Sequence, residues 1–246
     1  MIDFMPRHQL GYVLPVPVGD YIHYQFYRIC PPDCFLVCTP LSLESFSASG
    51  ADSALKAFEP AAEFLIQRKV DRISQGGIPI SAFVGRKRVL GLLETIQRRT
   101  DIPVTADFEE TIEALQHLGL KRVAVAAKWD DALMTAVVAY LKDVGIETVG
   151  LCSEVYTAAQ VTTVRPQDGF DLALALGRKA FTDNPKADGL LLAGGAWLSL
   201  PAAAILEAEF GRPVVTNPMA TYWAALRQFG RRATVPGLGR LLDSLN

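Results

Sequence analysis

Short apolar runs of strand length alternate along the chain with segments whose apolar residues recur at the helical period of 3.6. This alternation is typical of parallel sheets whose strands are joined by crossover helices. It therefore predicts an α/β fold. The predicted strands are Leu10–Leu14, Cys34–Cys38, Arg72–Gln75, Val104–Thr105, Arg122–Ala126, Glu147–Leu151, Gly189–Leu192 and Pro213–Thr216.

The segment that follows the fourth predicted strand illustrates the helices between them. It begins with Asp107, an acidic residue suited to the positive end of a helix dipole. From Phe108 to Leu118 its apolar residues fall on one face, and Gly119 is a typical C-terminal stop. We therefore expect this helix to pack on a sheet.

Two glycine-rich segments follow predicted strands and share one pattern. Both Gly76–Ser81 and Gly194–Ser199 read G-G-x-x-x-S. Glycines directly after a parallel strand let the backbone turn sharply and approach a ligand at the carboxyl edge of the sheet. Glycine also occurs at such turns for steric reasons alone, so the pattern leaves both interpretations open. If the glycines serve ligand binding, the two segments are two facing half-sites.

This repeat predicts two pseudo-symmetric halves, each a doubly wound parallel sheet, with the site between them. The first half is assigned to residues 1–104 plus 218–246, and the second half to residues 105–217. An approximate two-fold axis relates them in this hypothesis.

Composition narrows the classes of partner. Of the 246 residues, 50% are hydrophobic and 20% are charged, as in a folded globular protein. The 24 basic and 26 acidic residues form no basic block, which argues against nucleic acid as a partner. No apolar run reaches membrane-spanning length and the N-terminus lacks an export-signal pattern, so we expect no membrane partner and a cytoplasmic location.

Cysteine and cofactor signals are weak. Cys30 and Cys34 have no second pair to complete a zinc site, so we predict reduced thiols and no metal. Cys38, at the end of a predicted strand, could border the cleft, but packing is its default role. Phosphate-loop and dinucleotide motifs are absent from the sequence, and we expect no cofactor.

Several segments together resemble a known family. They are Ala187–Leu200, Arg212–Asn217, Tyr222–Leu226, Leu10–Pro15, Leu118–Ala126 and Lys128–Asp131. The chain resembles the aspartate/glutamate racemase superfamily, and within it the branch of arylmalonate decarboxylase and maleate cis-trans isomerase. The resemblance implies two α/β halves with the active site between them, which agrees with the repeat.

The resemblance also implies proton-transfer chemistry beside a carboxylate. In this family, cysteines at the ends of two equivalent strands move the proton or attack an alkene, and loop amides and hydroxyls stabilise an enediolate. The two cysteine positions fall on Gly77 and Gly194, so neither carries a thiol. A family Pro-Tyr pair corresponds to Lys128 and Trp129.

Lys128 and Asp130 are therefore the candidate catalytic residues. Lys128 follows a predicted strand, and its amine could bind a carboxylate, transfer a proton or form an imine. Asp130 could act as a base or orient Lys128. The alternative is structural: a solvated Lys128 paired with Asp130, with Asp130 or Asp131 capping the next helix.

The remaining candidates would bind substrate. The loop residues follow from the glycine pattern, Thr216 and Asn217 end the last predicted strand, and Trp129 would give the cleft an aromatic wall. Tyr12 is placed in the first strand-to-helix loop. The predicted substrate-binding residues are Tyr12, Gly76, Gly77, Ile78, Trp129, Gly194, Gly195, Ala196, Thr216 and Asn217.

Two functions fit these features. The first is a cofactor-independent lyase or isomerase that acts on a small carboxylate without the family cysteines, through Lys128. The alternative is a non-catalytic protein that binds a small carboxylate as a sensor or regulatory subunit. A homo-oligomer is compatible with both, with Tyr21, Tyr24 and Tyr27 at helical spacing as a candidate subunit contact.

Overall fold

The computed structural model describes residues 5–41 and 43–245. Within these ranges, eight strands form two four-stranded parallel sheets, in the order β2-β1-β3-β4 and β6-β5-β7-β8. The strands are β1 (His8–Leu14), β2 (Cys34–Pro40), β3 (Arg72–Gln75), β4 (Val104–Ala106), β5 (Arg122–Ala127), β6 (Glu147–Ser153), β7 (Gly189–Leu192) and β8 (Val214–Thr216).

Helices connect successive strands, as the α/β prediction requires. They are α1 (Asp20–Ile29), α2 (Ala48–Gln67), α3 (Ile78–Val84), α4 (Arg86–Gln97), α5 (Asp107–His117), α6 (Asp131–Lys142), α7 (Ala158–Val161), α8 (Pro166–Asp183), α9 (Leu200–Phe210), α10 (Asn217–Phe229) and α11 (Arg240–Asp243).

The strands form where the apolar runs predicted them. Every residue of β7 is buried, and so is every residue of β5 after Arg122. Continuous apolar runs suit such strands because helices cover both faces of a parallel sheet. All eight predicted strands are confirmed, with ends that differ by a few residues.

The two sheets have the same strand order, so β1 to β4 correspond to β5 to β8. The predicted division after residue 104 falls inside β4, which pairs with β3 as far as Ala106. The first sheet thus continues two residues beyond that boundary, while the assignment of helices to halves stays a prediction.

Helices α5 and α10 link the two halves. Each begins directly after the last strand of its sheet, and the two helices pack against each other. Asp107 and Asn217, their first residues, are consequently brought together. One apolar core includes Tyr12 and Phe26 from the first half and Trp129 and Trp197 from the second. No helix among the described residues has the length and apolarity needed to cross a membrane.

Candidate active site

One pocket lies at the carboxyl ends of the central strands of both sheets. Its empty volume is about 640 Å³, including the mouth that opens to solvent. Gly77 from the first glycine loop and Gly194 from the second both line it. The two loops therefore border one cavity, as the hypothesis of facing half-sites predicts. This position also follows the general rule that parallel α/β sheets bind ligands beyond their carboxyl ends.

The two glycines have nearly the same backbone conformation, with φ of 107° at Gly77 and 105° at Gly194. Side chains rarely adopt this conformation, which explains the need for glycine. A Cβ at Gly77 would stand 2.8 Å from Cβ of Pro15, so this position is closed. A Cβ at Gly194 would meet only Trp129, at 3.4 Å, and Nζ of Lys128, at 3.7 Å.

Lys128 directly follows β5 and its side chain is buried in the pocket wall. Nζ has no hydrogen-bond partner among the described residues and lies 3.5 Å from the ring centroid of Trp197. Burial lowers the pKa of the amine well below its usual value of 10.5. A neutral amine can act as a base or a nucleophile. The alternative of a solvated Lys128 is therefore wrong.

Asp130 does not join Lys128. It is exposed and lies outside the residues that line the pocket. Its Oδ1 accepts a hydrogen bond of 2.9 Å from the backbone N–H of Leu133, as the N-cap of α6. The first N–H groups of a helix need such an acceptor, and this requirement determines where the carboxylate points. The structure thus gives Asp130 a capping role outside the pocket wall, and its catalytic role stays a prediction.

Asp107 is a pocket residue that the sequence reasoning missed. Its Oδ2 accepts hydrogen bonds from the backbone N–H of Gly77 at 2.8 Å, from Nδ2 of Asn217 at 3.2 Å and from the hydroxyl of Tyr12 at 3.4 Å. Its Oδ1 is buried without a partner among the described residues. Burial, with a smaller contribution from Glu110, raises the pKa of Asp107 to about 7.

Asn217 lines the pocket and holds the two halves in register. Its Oδ1 accepts a hydrogen bond of 2.9 Å from the backbone N–H of Gly194, and its Nδ2 donates to Asp107. Its predicted neighbour Thr216 has a different role. The Thr216 hydroxyl accepts from the backbone N–H of Met219 and caps α10, outside the pocket wall.

Two further predicted positions need correction. Tyr12 lines the pocket, but it lies within β1 and not in the following loop. Its hydroxyl donates to Asp107, so that hydroxyl is already engaged. Gly76 is not in the pocket wall, since its Cα packs against the Tyr12 ring so closely that a Cβ would clash with it.

The other predicted binding residues, Ile78, Trp129, Gly195 and Ala196, do line the pocket. The backbone N–H groups of Gly77 and Gly194 are occupied by Asp107 and Asn217. Those of Gly195 and Ala196 make no hydrogen bond to any described residue. The same holds for the N–H of Ile78, so both glycine loops offer donors to a ligand oxygen.

None of the four cysteines lines this pocket. Cys38 is partly exposed, and burial raises the pKa of its thiol to about 12, which disfavours the reactive thiolate. In residues 5–41 and 43–245, no group of three or more His, Cys, Asp or Glu side chains could hold a metal ion.

This architecture defines a class of α/β protein in which two parallel sheets of identical strand order share one pocket between their carboxyl edges. The family model described as arylmalonate decarboxylase matches residues 25–242 of the chain. The chain belongs to this family.

Curated relatives and solved structures agree with the assignment. Arylmalonate decarboxylase of Bordetella bronchiseptica is 29% identical over 215 residues, which cover 86% of this chain and 88% of the relative. Maleate isomerase of Pseudomonas putida is 32% identical over 142 residues, or 57% of this chain and 55% of that protein. A crystal structure of arylmalonate decarboxylase superposes with a TM-score of 0.87 at 27% identity, covering 96% of this chain and 99% of the other. That structure is a liganded double mutant, glycine to cysteine and cysteine to serine.

Proposed function

We propose that the protein is a decarboxylase or isomerase of small carboxylates in which the amine of Lys128 transfers the proton. Membership of the arylmalonate decarboxylase family, together with relatives named arylmalonate decarboxylase and maleate isomerase, supports the substrate class. The absence of cysteine from the pocket wall supports a different proton carrier.

The position of the Lys128 amine carries this proposal. By the family resemblance, Gly194 stands where relatives keep a cysteine. Nζ of Lys128 is 3.7 Å from the point that a Cβ of residue 194 would occupy, so the amine reaches the space of the missing thiol. It is buried there without a hydrogen-bond partner among the described residues, and a substrate can therefore supply the first one.

The surrounding groups suit enolate chemistry. In isomerisation, the neutral amine removes a proton from the carbon beside the substrate carboxylate, and the electron pair of that C–H bond moves onto oxygen as an enediolate. In decarboxylation, loss of CO2 leaves the same kind of enediolate, and the amine, protonated beforehand by water, delivers a proton to the carbon. The N–H groups of Gly195 and Ala196 are available to that oxygen and provide electrostatic stabilisation in a partly dry site. Trp129, Ile78 and Pro79 form apolar walls that favour a substrate with an apolar or aromatic part.

The test begins with a screen of malonates, maleate-like diacids and keto acids. Each mixture is followed by mass spectrometry for conversion and by thermal shift for binding. On the acid that is converted, Lys128→Met should lower kcat by at least about 100-fold, since proton transfer by a positioned group contributes about 10²–10⁴-fold. Methionine keeps the length of the side chain and suits the apolar surroundings.

Lys142→Met is the matched control, because it makes the same change at the exposed C-terminal end of α6. It should leave kcat unchanged. Equal turnover in the Lys128→Met variant and the parent would remove Lys128 from the mechanism. Thermal stabilisation of the parent by a carboxylate that is never converted would instead favour the non-catalytic sensor.

A further inference from the structure

The pocket wall contains another buried ionisable group, Asp107, which the helix after the last strand of the first sheet contributes. We propose that Asp107 is a proton-transfer residue that donates a proton to the substrate from Oδ1 while Lys128 accepts one. This inference rests on the proposed function and deepens it, because it adds a residue and selects a reaction class. Two groups that give and take a proton favour isomerisation of a carboxylate that carries a C–H bond beside its carboxyl group.

The hydrogen bonds of Asp107 determine which of its oxygens is free to carry the proton. Oδ2 accepts from three donors, which belong to Gly77, Asn217 and Tyr12. An oxygen that accepts from three donors has no room for a proton of its own. In the neutral acid the proton is therefore on Oδ1, which is buried, lacks a partner among the described residues and belongs to a side chain of the pocket wall.

Helix capping does not account for Asp107. Although it is the first residue of α5, no N–H group of that helix donates to its side chain, and the N-cap position is Ala106. Its donors come from β1, the first glycine loop and α10. The amide oxygen of an asparagine could accept the same hydrogen bonds, so the fold does not require a carboxyl group at this position.

Burial and the nearby Glu110 carboxylate favour the neutral form of Asp107. The three hydrogen bonds that Oδ2 accepts favour the carboxylate, but they do not outweigh burial. Glu110, one turn along α5, and the buried Tyr12 and Tyr140 face it, and Arg72 is paired with Glu110 and not with Asp107. Burial raises the pKa of Asp107 to about 7, and Glu110 adds to the shift. A group with a pKa near the working pH is suited to both giving and recovering a proton.

The proposed step balances without a redox partner. The lone pair of Nζ takes the proton of the substrate C–H bond, and the electron pair of that bond enters an enediolate. The Asp107 O–H bond breaks as its proton forms a new C–H bond on the enediolate or on its conjugated carbon. Lys128 is left as the ammonium ion and Asp107 as the carboxylate, and proton exchange with water restores both.

The experiment uses the full chain, the substrate found in the screen and heavy water. Asp107→Asn keeps the acceptor oxygen and removes the proton, and Asp101→Asn makes the same change at an exposed position between α4 and β4 as control. We expect Asp107→Asn to lower product formation by at least about 100-fold. It should still exchange the substrate hydrogen beside the carboxylate for deuterium, because Lys128 remains. In the parent and in Asp101→Asn, kcat should fall above about pH 7, where Asp107 loses its proton.

The possible results separate the two proposals. Product formation that persists in Asp107→Asn overturns the role of Asp107 and leaves Lys128 in place. Loss of hydrogen exchange together with product in Asp107→Asn also overturns it, since a purely structural role predicts the loss of both. If the parent shows neither exchange nor product with any acid of the screen, the proposed function fails and this inference fails with it.

Discussion

In the first half of the pocket the N–H of Gly77 donates to the side chain of Asp107, and in the second half the N–H of Gly194 donates to the side chain of Asn217. Each acceptor is the first residue of the helix that follows the last strand of its sheet. The backbone arrangement is thus repeated, while the acceptor is a carboxyl group in one half and an amide in the other.

A second pair of positions differs in the same way. Val13 pairs with Gln75 in the first sheet and Ala126 pairs with Leu192 in the second, which makes Pro15 the counterpart of Lys128. Proline closes the space beside Gly77, whereas the lysine amine stands beside Gly194. The comparison teaches that the two glycine N–H groups hold the frame through equivalent hydrogen bonds, and that a carboxyl group stands beside Gly77 whereas an amine stands beside Gly194.

The largest effect is expected when the second half is given the acid of the first. In Asn217→Asp, two carboxyl groups would face each other where Nδ2 of Asn217 now lies 3.2 Å from Oδ2 of Asp107. Two carboxylates this close cannot both ionise, so one must stay protonated. We expect the free energy of unfolding at about pH 8 to fall by about 3 kcal/mol, as measured by urea titration.

The loss should shrink as the pH falls. Both carboxyl groups of the variant have raised pKa values in the folded protein, so folding takes up protons and is favoured at low pH. At about pH 5 the variant and the parent should therefore be closer in stability than at about pH 8. A loss that is equal at both values would show that the amide matters for its shape and not for its lack of charge.

The sequence predicts the strands well and the buried pocket residues less well, for a physical reason. Strands depend on local apolar runs, and all eight were predicted. The sequence identifies Asp107 only as an acid at a helix start, because its burial depends on the packing of α5 against α10, two helices that are far apart in sequence. One signal was present: Val104–Asp107 and Val214–Asn217 both run from a strand into a helix, and only Asn217 was assigned to the site.

The next effect concerns the lysine that the first half lacks. Lys128→Met should raise the free energy of unfolding by about 2 kcal/mol near pH 7, because an apolar side chain replaces a buried amine that has no hydrogen-bond partner among the described residues. Burial lowers the pKa of Lys128 well below 10.5, so the folded parent binds fewer protons than the unfolded chain. The unfavourable contribution of Lys128 to the stability of the parent consequently shrinks as the pH rises towards 10.5.

Urea titration near pH 7 and near pH 10 checks this prediction. The gain from Lys128→Met should be larger near pH 7 and should shrink near pH 10, where the unfolded chain also begins to lose the proton. Lys142→Met, at an exposed position, should change stability little at either pH. A Lys128→Met variant that is less stable than the parent would mean that the amine supports the fold.

The smallest effect is expected at the start of the helix that follows the first strand of each sheet. In the second half α6 begins with the Asp130 cap, whereas in the first half α1 begins at Gly19 without a side-chain hydrogen bond. Asp130→Ala makes the two starts alike and should cost about 1 kcal/mol in unfolding free energy. Asp130→Asn, which keeps an acceptor, should restore most of that loss.

Turnover by the folded Asp130→Ala variant should equal that of the parent, because the Asp130 carboxylate lies outside the pocket wall. A fall in kcat at unchanged stability would instead return Asp130 to the role of orienting Lys128. The carboxylate of Asp130 would then act on the reaction together with the amine of Lys128.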